Sequence, residues 1–162
     1  MAIDKVRDYL DGFGMGPRIR EFDSSSATVE LAAEAVGVEP ARIAKTLSFL
    51  VGGSPILVVC AGDAKVDNKA YKATFSCKAK MIPADEVEGL VGHAVGGVCP
   101  FAVADGVVTY LDESLRRFDE VWPACGSANS AIGLTLDELE HVGASSGWVD
   151  VCKGWREEVA GA

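Results

Sequence analysis

The clearest structural signal in this chain is the segment Thr46-Leu-Ser-Phe-Leu-Val51, Gly52-Gly-Ser-Pro55, Ile56-Leu-Val-Val-Cys-Ala61. Two largely apolar runs flank a short group of turn-forming residues, a pattern that predicts an antiparallel β-hairpin. Neither run alternates strictly between apolar and polar residues, so both faces of each strand are expected to be covered. The sequence therefore predicts a hairpin whose two strands are both largely buried.

Shorter elements are predicted before the hairpin. Ile3, Val6 and Leu10 recur at helical spacing, which predicts a first helix that ends at the glycines after residue 11. The alternation in Arg18-Ile-Arg-Glu-Phe22 predicts a short strand. Two further predictions are a helix with Val29, Ala32, Ala33 and Val36 on one face that ends at Gly37, and a short helical segment from Pro40.

The elements after the hairpin alternate irregularly between helix and strand. The predicted order is a lysine-rich helix at 66–73, a strand at 77–82, a helix from Pro83, strands at 107–111, 119–124 and 129–134, a helix opened by the capping box Thr135-Leu-Asp-Glu138, and a last strand at 148–151. This order argues against a regular stack of βαβ units. It predicts one α/β domain, bordering on α+β, that spans residues 1–162 and contains a mixed sheet.

Composition restricts the class of protein. The 162 residues are 49% hydrophobic and 24% charged, as in an ordinary globular domain. The net charge of −9 argues against a general DNA-binding protein, and no apolar run approaches the length of a membrane span. The charged N-terminus lacks the apolar core of a secretion signal. Five cysteines without a Cys-x-x-Cys pair indicate reduced thiols, so a cytoplasmic location is expected.

The sequence contains one formal match to a catalytic serine motif, at Gly143-Ala-Ser-Ser-Gly147. That motif needs a strand before the serine, a helix after it, and a histidine later in the chain. Here the predicted order of helix and strand is reversed, and both His93 and His141 precede Ser145. We therefore interpret this match as a helix-to-strand turn.

Signatures of metal and phosphate binding are missing from the sequence. The five cysteines lie at least 17 positions apart, and neither histidine has a ligand-type residue three or four positions later, so no metal is expected. No Walker A sequence occurs, and no cofactor is expected. A Cys-His nucleophile pair stays open, because Cys60, Cys99 or another thiol could meet a histidine in space. The alternative is a small cysteine that fills the core.

Three features remain as candidates for a site. Lys45 lies at the mouth of the first buried strand, where the alternative is an ordinary surface lysine. The turn Gly96-Gly-Val-Cys-Pro100 either exposes backbone N–H and C=O groups to a ligand or is a plain turn. The loop Gly126-Ser-Ala-Asn-Ser130 lies between two predicted strands and could reach the same end of the sheet.

Five stretches of the chain carry a resemblance to a known family. They are Glu21–Val29, Ile43–Phe49, Ala61–Asp67, Gly96–Phe101 and Gly126–Ile132, in the order and spacing of that family. In these stretches the chain resembles the YbaK-type, prolyl-tRNA-synthetase-associated aminoacyl-tRNA deacylases. The resemblance implies a strongly curved, barrel-like mixed sheet surrounded by helices, with the site at one end.

The resemblance also implies a reaction and the residues that perform it. The reaction is hydrolysis of the ester that joins a wrong amino acid to the 3′-terminal adenosine of tRNA, by a free-standing enzyme that acts in trans. A ribose hydroxyl or a water is activated by positioning, without a protein nucleophile. The residues implied in catalysis are Lys45, Gly96, Gly97 and Pro100. The residues implied in substrate binding are Thr46, Val98, Cys99, Gly126, Ser127, Asn129, Ser24 and Thr28.

The implied partner is the acceptor end of an aminoacyl-tRNA, together with prolyl-tRNA synthetase or another synthetase, and neither DNA nor a membrane. The stretch 65–80 contains five lysines and a single acid. Lys65, Lys69 and Lys72 within it either contact the phosphates of the acceptor stem or form a solvated face.

The chain departs from its relatives at three positions near the predicted site. Cys99 stands where they often carry serine, His93 where an aromatic or apolar residue is expected, and Asn129 at a variable polar position. These differences leave the amino acid open among alanine, cysteine, serine and other small residues, on tRNA-Pro or a related tRNA.

Two other functions also stay open. One is a non-catalytic or regulatory module that binds a small amino acid, a nucleotide or the tRNA CCA end, and the other is an unrelated thiol or serine hydrolase.

Overall fold

The computed structural model describes residues 2–155, so both ends of the expected 1–162 domain lie outside the described part. Its α-helices are Ala2–Asp11 (α1), Val29–Val36 (α2), Asn68–Phe75 (α3), Ala84–Val91 (α4) and Leu136–Val142 (α5). Its strands are Arg20–Glu21 (β1), Ile43–Val51 (β2), Ser54–Ala61 (β3), Lys65–Val66 (β4), Val108–Asp112 (β5), Glu120–Pro123 (β6), Ser130–Ala131 (β7), Leu134–Thr135 (β8), Ser145–Val149 (β9) and Cys152–Lys153 (β10). Within this range, no helix has both the length and the apolar character needed to cross a membrane.

The hairpin predicted from the sequence forms the centre of the largest sheet. β2 and β3 pair in antiparallel register, with Lys45 opposite Cys60. The connecting residues Gly52 and Gly53 have φ values of +57° and +83°, which suit a tight two-residue hairpin turn. The first strand is longer than predicted, because residues 43–45 also join the sheet.

The largest sheet is mixed and curls into a half-barrel. Its strand order is β8-β6-β2-β3-β5-β9. The β2–β3 and β6–β8 pairs are antiparallel, whereas β2–β6, β3–β5 and β5–β9 are parallel. Two small antiparallel ladders, β1 with β7 and β4 with β10, accompany it. The predicted fold class, a curved mixed sheet surrounded by helices, is confirmed.

Burial is most complete along β3. Its last four residues, from Val58 to Ala61, have no exposed surface. A second apolar cluster joins Leu57 of β3 to Val87 and Val91 of α4. Each large apolar side chain buried in this way stabilises the fold by roughly 1.5–3 kcal/mol. This packing holds α4 against the hairpin.

The strand predicted at 77–82 is wrong. One isolated bridge forms there, between Met81 and Phe49 of β2. Pro83 follows almost at once, and since proline has no N–H to donate, it starts α4 instead of continuing a ladder. The segment therefore runs beside β2 as a side wall and not as a further strand.

The last predicted strands are divided differently in the structure. The run at 129–134 splits into β7, which pairs with β1, and β8, which pairs with β6. At the split, Gly133 lies against Trp122, and a Cβ on Gly133 would come within 2.7 Å of the indole ring. The final strand predicted at 148–151 begins earlier, at Ser145, and β10 follows it.

The helix caps agree with the sequence pattern. The Thr28 side chain accepts a hydrogen bond from the Leu31 N–H at the start of α2, and Gly37 ends that helix with φ +89°. Thr135 and Glu138 form the predicted capping box of α5. The cap at Thr28 fixes the point at which the preceding loop enters α2.

Candidate functional site

A cavity of about 450 Å³ lies beside β2. Its wall is formed by β2, the loop before α2, the segment 81–87, the turn near Gly96, and parts of β6 and β7. Most of the lining residues are apolar, and a few hydroxyl groups interrupt them. This volume falls in the range of about 300–1,000 Å³ that small-molecule sites occupy.

Lys45 is the one ionisable residue that lines the cavity in the described part of the chain. It is half-buried on β2, and its Nζ donates a hydrogen bond to the Gly62 carbonyl at 3.4 Å. The neighbouring carboxylate, Asp63, is engaged elsewhere, because its pKa is lowered first by a hydrogen bond from Arg117 and only weakly by Lys45. Within the described residues the ammonium group thus has a backbone acceptor and a weak interaction with Asp63, and no carboxylate within 4.0 Å.

Two buried hydroxyl groups at the cavity have no hydrogen-bond partner in residues 2–155. They belong to Ser26, which is 8% exposed, and to Thr46. Both residues line the cavity. An unpaired buried hydroxyl costs roughly 1–3 kcal/mol, so such groups normally have a protein, water or ligand partner. Two of them in one wall indicate a site for the polar atoms of a ligand.

The turn at 96–100 presents part of its backbone to the cavity. Gly96, with φ +95°, and Val98 line the cavity, whereas Gly97, Cys99 and Pro100 are buried behind them. A Cβ on Gly97 would lie 2.7 Å from backbone atoms of the loop at 126–127. Glycine is therefore required where the turn meets this loop.

The loop at 126–130 is fastened to the segment before α2. Asn129 Nδ2 donates to the Phe22 carbonyl at 3.0 Å, and the Ser26 N–H donates to the Ala128 carbonyl at 2.6 Å. Ser130 lines the cavity, and its hydroxyl shares a 2.6 Å hydrogen bond with that of Ser127. The loop thus holds Ser26 in the wall of the cavity.

The predicted substrate-binding residues divide into two groups by position. Those that line the cavity are Thr28, Thr46 and Val98. Those that lie outside its lining are Ser24, Cys99, Gly126, Ser127 and Asn129. Lys65 lies on β4, and Lys69 and Lys72 lie on α3, all outside the lining. The functional roles of these residues stay predictions.

A cysteine and a histidine do meet in space. Cys99 Sγ lies 3.6 Å from His93 Nε2, and that nitrogen is 2.6 Å from the Phe101 carbonyl. Since a carbonyl only accepts, Nε2 carries the proton. Burial raises the pKa of Cys99 to about 12 and lowers the pKa of His93. The pair is therefore neutral at pH 7, lies outside the cavity lining, and braces the turn from behind.

The serine of the formal motif lies in a shallow depression lined by Asp137, Glu140, His141 and Ser145. Its hydroxyl donates to the Gly147 carbonyl at 3.1 Å, and Glu140 accepts from the Trp148 indole. His141 packs edge-on against Phe13 instead of bonding the serine. As expected, Ser145 follows a helix-to-strand turn, and the described residues contain no serine–histidine hydrogen bond.

Residues 2–155 contain no group of three or more histidine, cysteine or acidic side chains placed to hold a metal ion. The cavity itself has no carboxylate or histidine in its described lining. Its chemistry therefore rests on one ammonium group, hydroxyls and backbone.

Several residues of the cavity wall are not predicted from the sequence. Ser26 lies in a run of three serines, which predicts only helix caps. Trp122 of β6 lies in a predicted strand, and no local pattern singles out Trp122, Met81 or Val95 as cavity residues. Met81 and Val95 are 57% and 64% exposed. Exposed apolar side chains at one rim were the available signal, but sequence alone does not show exposure.

Comparison with known proteins identifies relatives. The chain matches the family described as "Aminoacyl-tRNA editing domain" over residues 23–142. YwhH of Bacillus subtilis (strain 168) is 51% identical over 156 residues, which are 96% of this chain and 99% of that protein.

Two further relatives carry functional names. "Putative Cys-tRNA(Pro)/Cys-tRNA(Cys) deacylase EbsC" of Enterococcus faecalis (strain ATCC 700802 / V583) is 30% identical over 115 residues, covering 69% of this chain and 70% of that protein. A crystal structure described as "a putative trans-editing enzyme for prolyl tRNA synthetase" superposes with a TM-score of 0.85 at 28% identity. The superposition covers 94% of this chain and 98% of that one.

Proposed function

Because this chain belongs to the aminoacyl-tRNA editing domain family, we propose that it is a trans-acting hydrolase that removes a wrong amino acid from tRNA. The observation that supports this most directly is Lys45, the one ionisable residue of the cavity in residues 2–155, which shares the cavity lining with Gly96. Editing by positioning needs a cation and backbone donors but no protein nucleophile. The relative described as "a putative trans-editing enzyme for prolyl tRNA synthetase" supports action in trans.

The proposed mechanism uses the geometry of the cavity. The Lys45 ammonium binds the 3′-terminal nucleotide or the ester oxygen, and backbone groups at Gly96 face the reacting carbonyl. A water, held in place and oriented by the neighbouring ribose hydroxyl, then attacks the ester carbonyl. The bond from the acyl carbon to the ribose oxygen breaks, the amino acid leaves as its carboxylate, and the ribose oxygen takes up a proton. One well-placed donor to the developing oxyanion accelerates such a reaction by roughly 10²–10³-fold, and orientation adds to it.

The lining of the cavity suggests which amino acids are edited. The walls are mostly apolar, and no carboxylate in the described lining would neutralise a basic side chain. Lys45 would repel lysyl and arginyl groups, whereas the hydroxyls of Ser26 and Thr46 suit a small uncharged residue. We therefore expect alanine, serine, cysteine or a similar amino acid, on tRNA-Pro or a related tRNA, and a cytoplasmic synthetase as functional partner.

The test is a deacylation panel with the purified protein. Alanyl, seryl, cysteinyl and threonyl esters are offered on tRNA-Pro and on their own tRNAs. We expect the protein to clear at least one species faster than spontaneous hydrolysis. Ser145→Ala and Cys99→Ala should retain most of the activity, because neither residue lines the cavity. Loss of activity in one of these variants, while it remains folded, would support a serine or thiol hydrolase instead.

A binding module is the second candidate. The described cavity lining lacks a general base, and its unpaired hydroxyls suit a bound ligand as well as a reacting one. This candidate predicts that no charged tRNA in the panel is cleared, whereas a small amino acid or a CCA-end analogue raises the melting temperature. Clearance of any panel member by the protein would exclude it.

A further inference from the structure

Arg20 differs from the other arginines of residues 2–155. Five of the six lie within 4.0 Å of a carboxylate: Arg7 with Glu21, Arg18 with Glu138, Arg42 with Glu39, Arg116 with Glu113, and Arg117 with Asp63. Arg20 has no such partner in the described residues. Its guanidinium instead donates to the Val36 carbonyl at 3.5 Å and lies 5.4 Å from the ring centroid of Phe22 and 5.6 Å from that of Trp122. Its positive charge is therefore uncompensated by a contacting acid.

Trp122 connects this arginine to the cavity. The residue lines the cavity, and it is paired in parallel register with Ile43 of β2. Gly133 lies against the indole so closely that a Cβ would meet the ring at 2.7 Å. The strand pairing therefore fixes the backbone of Trp122, and Gly133 packs directly against its ring at the wall of the site.

The indole N–H of Trp122 also differs from its counterparts. Trp148 donates to Glu140, and Trp155 donates to the Cys152 carbonyl, each at 3.1 Å. The Trp122 N–H makes no hydrogen bond to any residue of the described range. Trp122 thus combines an aromatic ring in the cavity wall with a donor that is free for a ligand.

The backbone of Phe22 is fixed by two hydrogen bonds to Asn129. Its N–H donates to the Asn129 carbonyl at 2.8 Å, and its own carbonyl accepts from Asn129 Nδ2 at 3.0 Å. Both bonds tie Phe22 to the loop that also holds Ser26 in the cavity. Arg20, Phe22 and Trp122 therefore form one platform, which we call the stacking platform.

We propose that the stacking platform binds an unpaired nucleotide at the 3′ end of the tRNA. Single-stranded RNA ends are held by stacking of bases on aromatic rings and on arginine guanidinium planes, and arginine also binds phosphate through its paired donors. Trp122 presents its ring at the wall of the cavity that takes the ester, and Arg20 and Phe22 extend the platform beyond the cavity lining. This inference rests on the proposed function, and it adds a base-binding subsite to it.

The test measures binding directly, without catalysis. A fluorescein-labelled CCA trinucleotide and the same probe with an abasic 3′ residue are titrated with the full-length protein, and anisotropy is recorded. The variants are Arg20→Gln and Trp122→Leu. The matched control is Arg116→Gln, since Arg116 stacks over Trp148, 3.9 Å from its ring centroid and outside the cavity lining. Melting temperatures establish that each variant is folded.

We expect both platform variants to bind the CCA probe about tenfold more weakly, since stacking of one base contributes roughly that factor or more. Arg116→Gln should bind like the original protein. The abasic probe should bind the original protein about tenfold more weakly, and Trp122→Leu should weaken it little further. If Trp122→Leu fails to fold, the affinity of Arg20→Gln for the CCA probe tests the subsite by itself, because Arg20 is an exposed side chain.

Other outcomes would overturn the inference. Unchanged binding in Arg20→Gln, or no binding of the probe by the original protein, contradicts the subsite. An equal loss for the CCA and abasic probes would assign the effect to charge and not to stacking. Competition by AMP as effective as by unlabelled CCA would identify a free mononucleotide as the ligand. If the CCA probe binds as expected but the deacylation panel is negative, the proposed function fails while the subsite stands.

Discussion

At the level of single residues, the position of the turn at 96–100 depends on residue 97 being glycine, which has no side chain. Gly97 packs so closely against the loop at 126–127 that a Cβ would sit 2.7 Å from its backbone. Both partners are main chain, so neither can rotate away. This contact sets the position of Gly96 at the cavity, and with it the proposed donor to the ester.

Gly97→Ala should therefore separate the turn from the loop. We expect the deacylation rate to fall at least tenfold and the free energy of unfolding to fall by about 1–3 kcal/mol, as overpacked sites do. The control is Gly89→Ala, within α4, where an added Cβ meets nothing within 4 Å. That change should raise stability by roughly 0.5–1 kcal/mol. Urea unfolding measures the free energy of unfolding of each variant. Equal free energies for Gly97→Ala and Gly89→Ala would contradict the packing argument.

The cysteines give a second prediction at this scale. Cys77 is half-buried, whereas Cys60, Cys99, Cys125 and Cys152 are buried. Burial also raises the pKa of Cys99 to about 12, which removes the reactive thiolate at ordinary pH. Iodoacetamide at pH 8 should therefore modify Cys77 first in the folded protein, and all five thiols after unfolding. Mass spectrometry of digested samples locates the label, and rapid labelling of Cys99 would contradict its assignment as a buried, inert thiol.

At the scale of elements, α5 illustrates a cap that also joins distant parts of the chain. Glu138 completes the capping box with Thr135 and accepts hydrogen bonds from Arg18 at 2.6 Å and 3.0 Å. Hydrogen bonds lower the pKa of Glu138 to about 2. The largest contribution comes from Arg18 and the next from the Thr135 N–H. A carboxylate with a lowered folded-state pKa adds stability above its unfolded value, about 4.3, and that contribution disappears as pH falls toward 2.

Glu138→Gln should consequently cost about 1–2 kcal/mol at pH 7. The difference from the original protein should shrink as pH falls from about 5 to 2, because the original carboxylate is progressively protonated. Glu34→Gln, at an exposed position of α2, is the control and should change stability by less than about 0.5 kcal/mol. Unfolding curves across this pH range provide the measurement, and a difference that stays constant would contradict the role of the ionised group.

The elements that the sequence predicts well are those with local signals. The hairpin has its glycine turn, α2 its cap at Thr28, and α5 its capping box, so each is visible in a few adjacent residues. The strand expected at 77–82 has the right composition but meets β2 at one bridge before Pro83 intervenes. The run at 129–134 divides because Gly133 must make room for Trp122, a contact that no local pattern reveals.

The site was predictable to a similar extent. The sequence predicts a site at Lys45 and the turn 96–100; Lys45, Gly96 and Val98 line the cavity, and their functional roles stay predictions. Ser26 and Trp122 were missed, since their importance comes from neighbours far along the chain. Ser26 is held by the loop at Ala128, and Trp122 by Gly133 and Ile43. Which residues share a cavity is decided by tertiary structure, and local periodicity does not encode it.

At the scale of the whole molecule, one buried carboxylate links the end of the sheet to the later chain. Asp112, at the end of β5, has no exposed surface and accepts hydrogen bonds from the N–H groups of Ser114 and Val151, each at 2.9 Å. Val151 directly precedes β10, which pairs with β4. The carboxylate thus ties segments together that lie 39 residues apart.

Asp112→Ala should leave two backbone N–H groups without their acceptors. We expect a loss of about 2–5 kcal/mol of unfolding free energy, with a smaller loss for Asp112→Asn, which keeps one oxygen acceptor. Asp105→Ala, at an exposed turn position, should stay within about 0.5 kcal/mol of the original protein. Denaturant titration tests this order, and an Asp112→Ala variant as stable as Asp105→Ala would contradict it.

The fold and the family match both bear on the role proposed for the cavity. The half-barrel places β2 beside the turn at 96–100, and the resemblance seen in the sequence is confirmed by the family match over residues 23–142. Lys45 is the one ionisable residue in the described lining of that cavity, where it is half-buried and donates to the Gly62 carbonyl. Lys45 is accordingly the residue on which the proposed function depends most.

The most direct test is the single-turnover rate at which Lys45→Ala hydrolyses whichever charged tRNA the original protein clears. Lys80→Ala, an exposed lysine outside the cavity lining, serves as the matched control. We predict a fall of about 10²–10³-fold for Lys45→Ala with an unchanged fold, and less than a twofold change for Lys80→Ala. A folded Lys45→Ala protein that hydrolyses the ester at the original rate would contradict the proposed site.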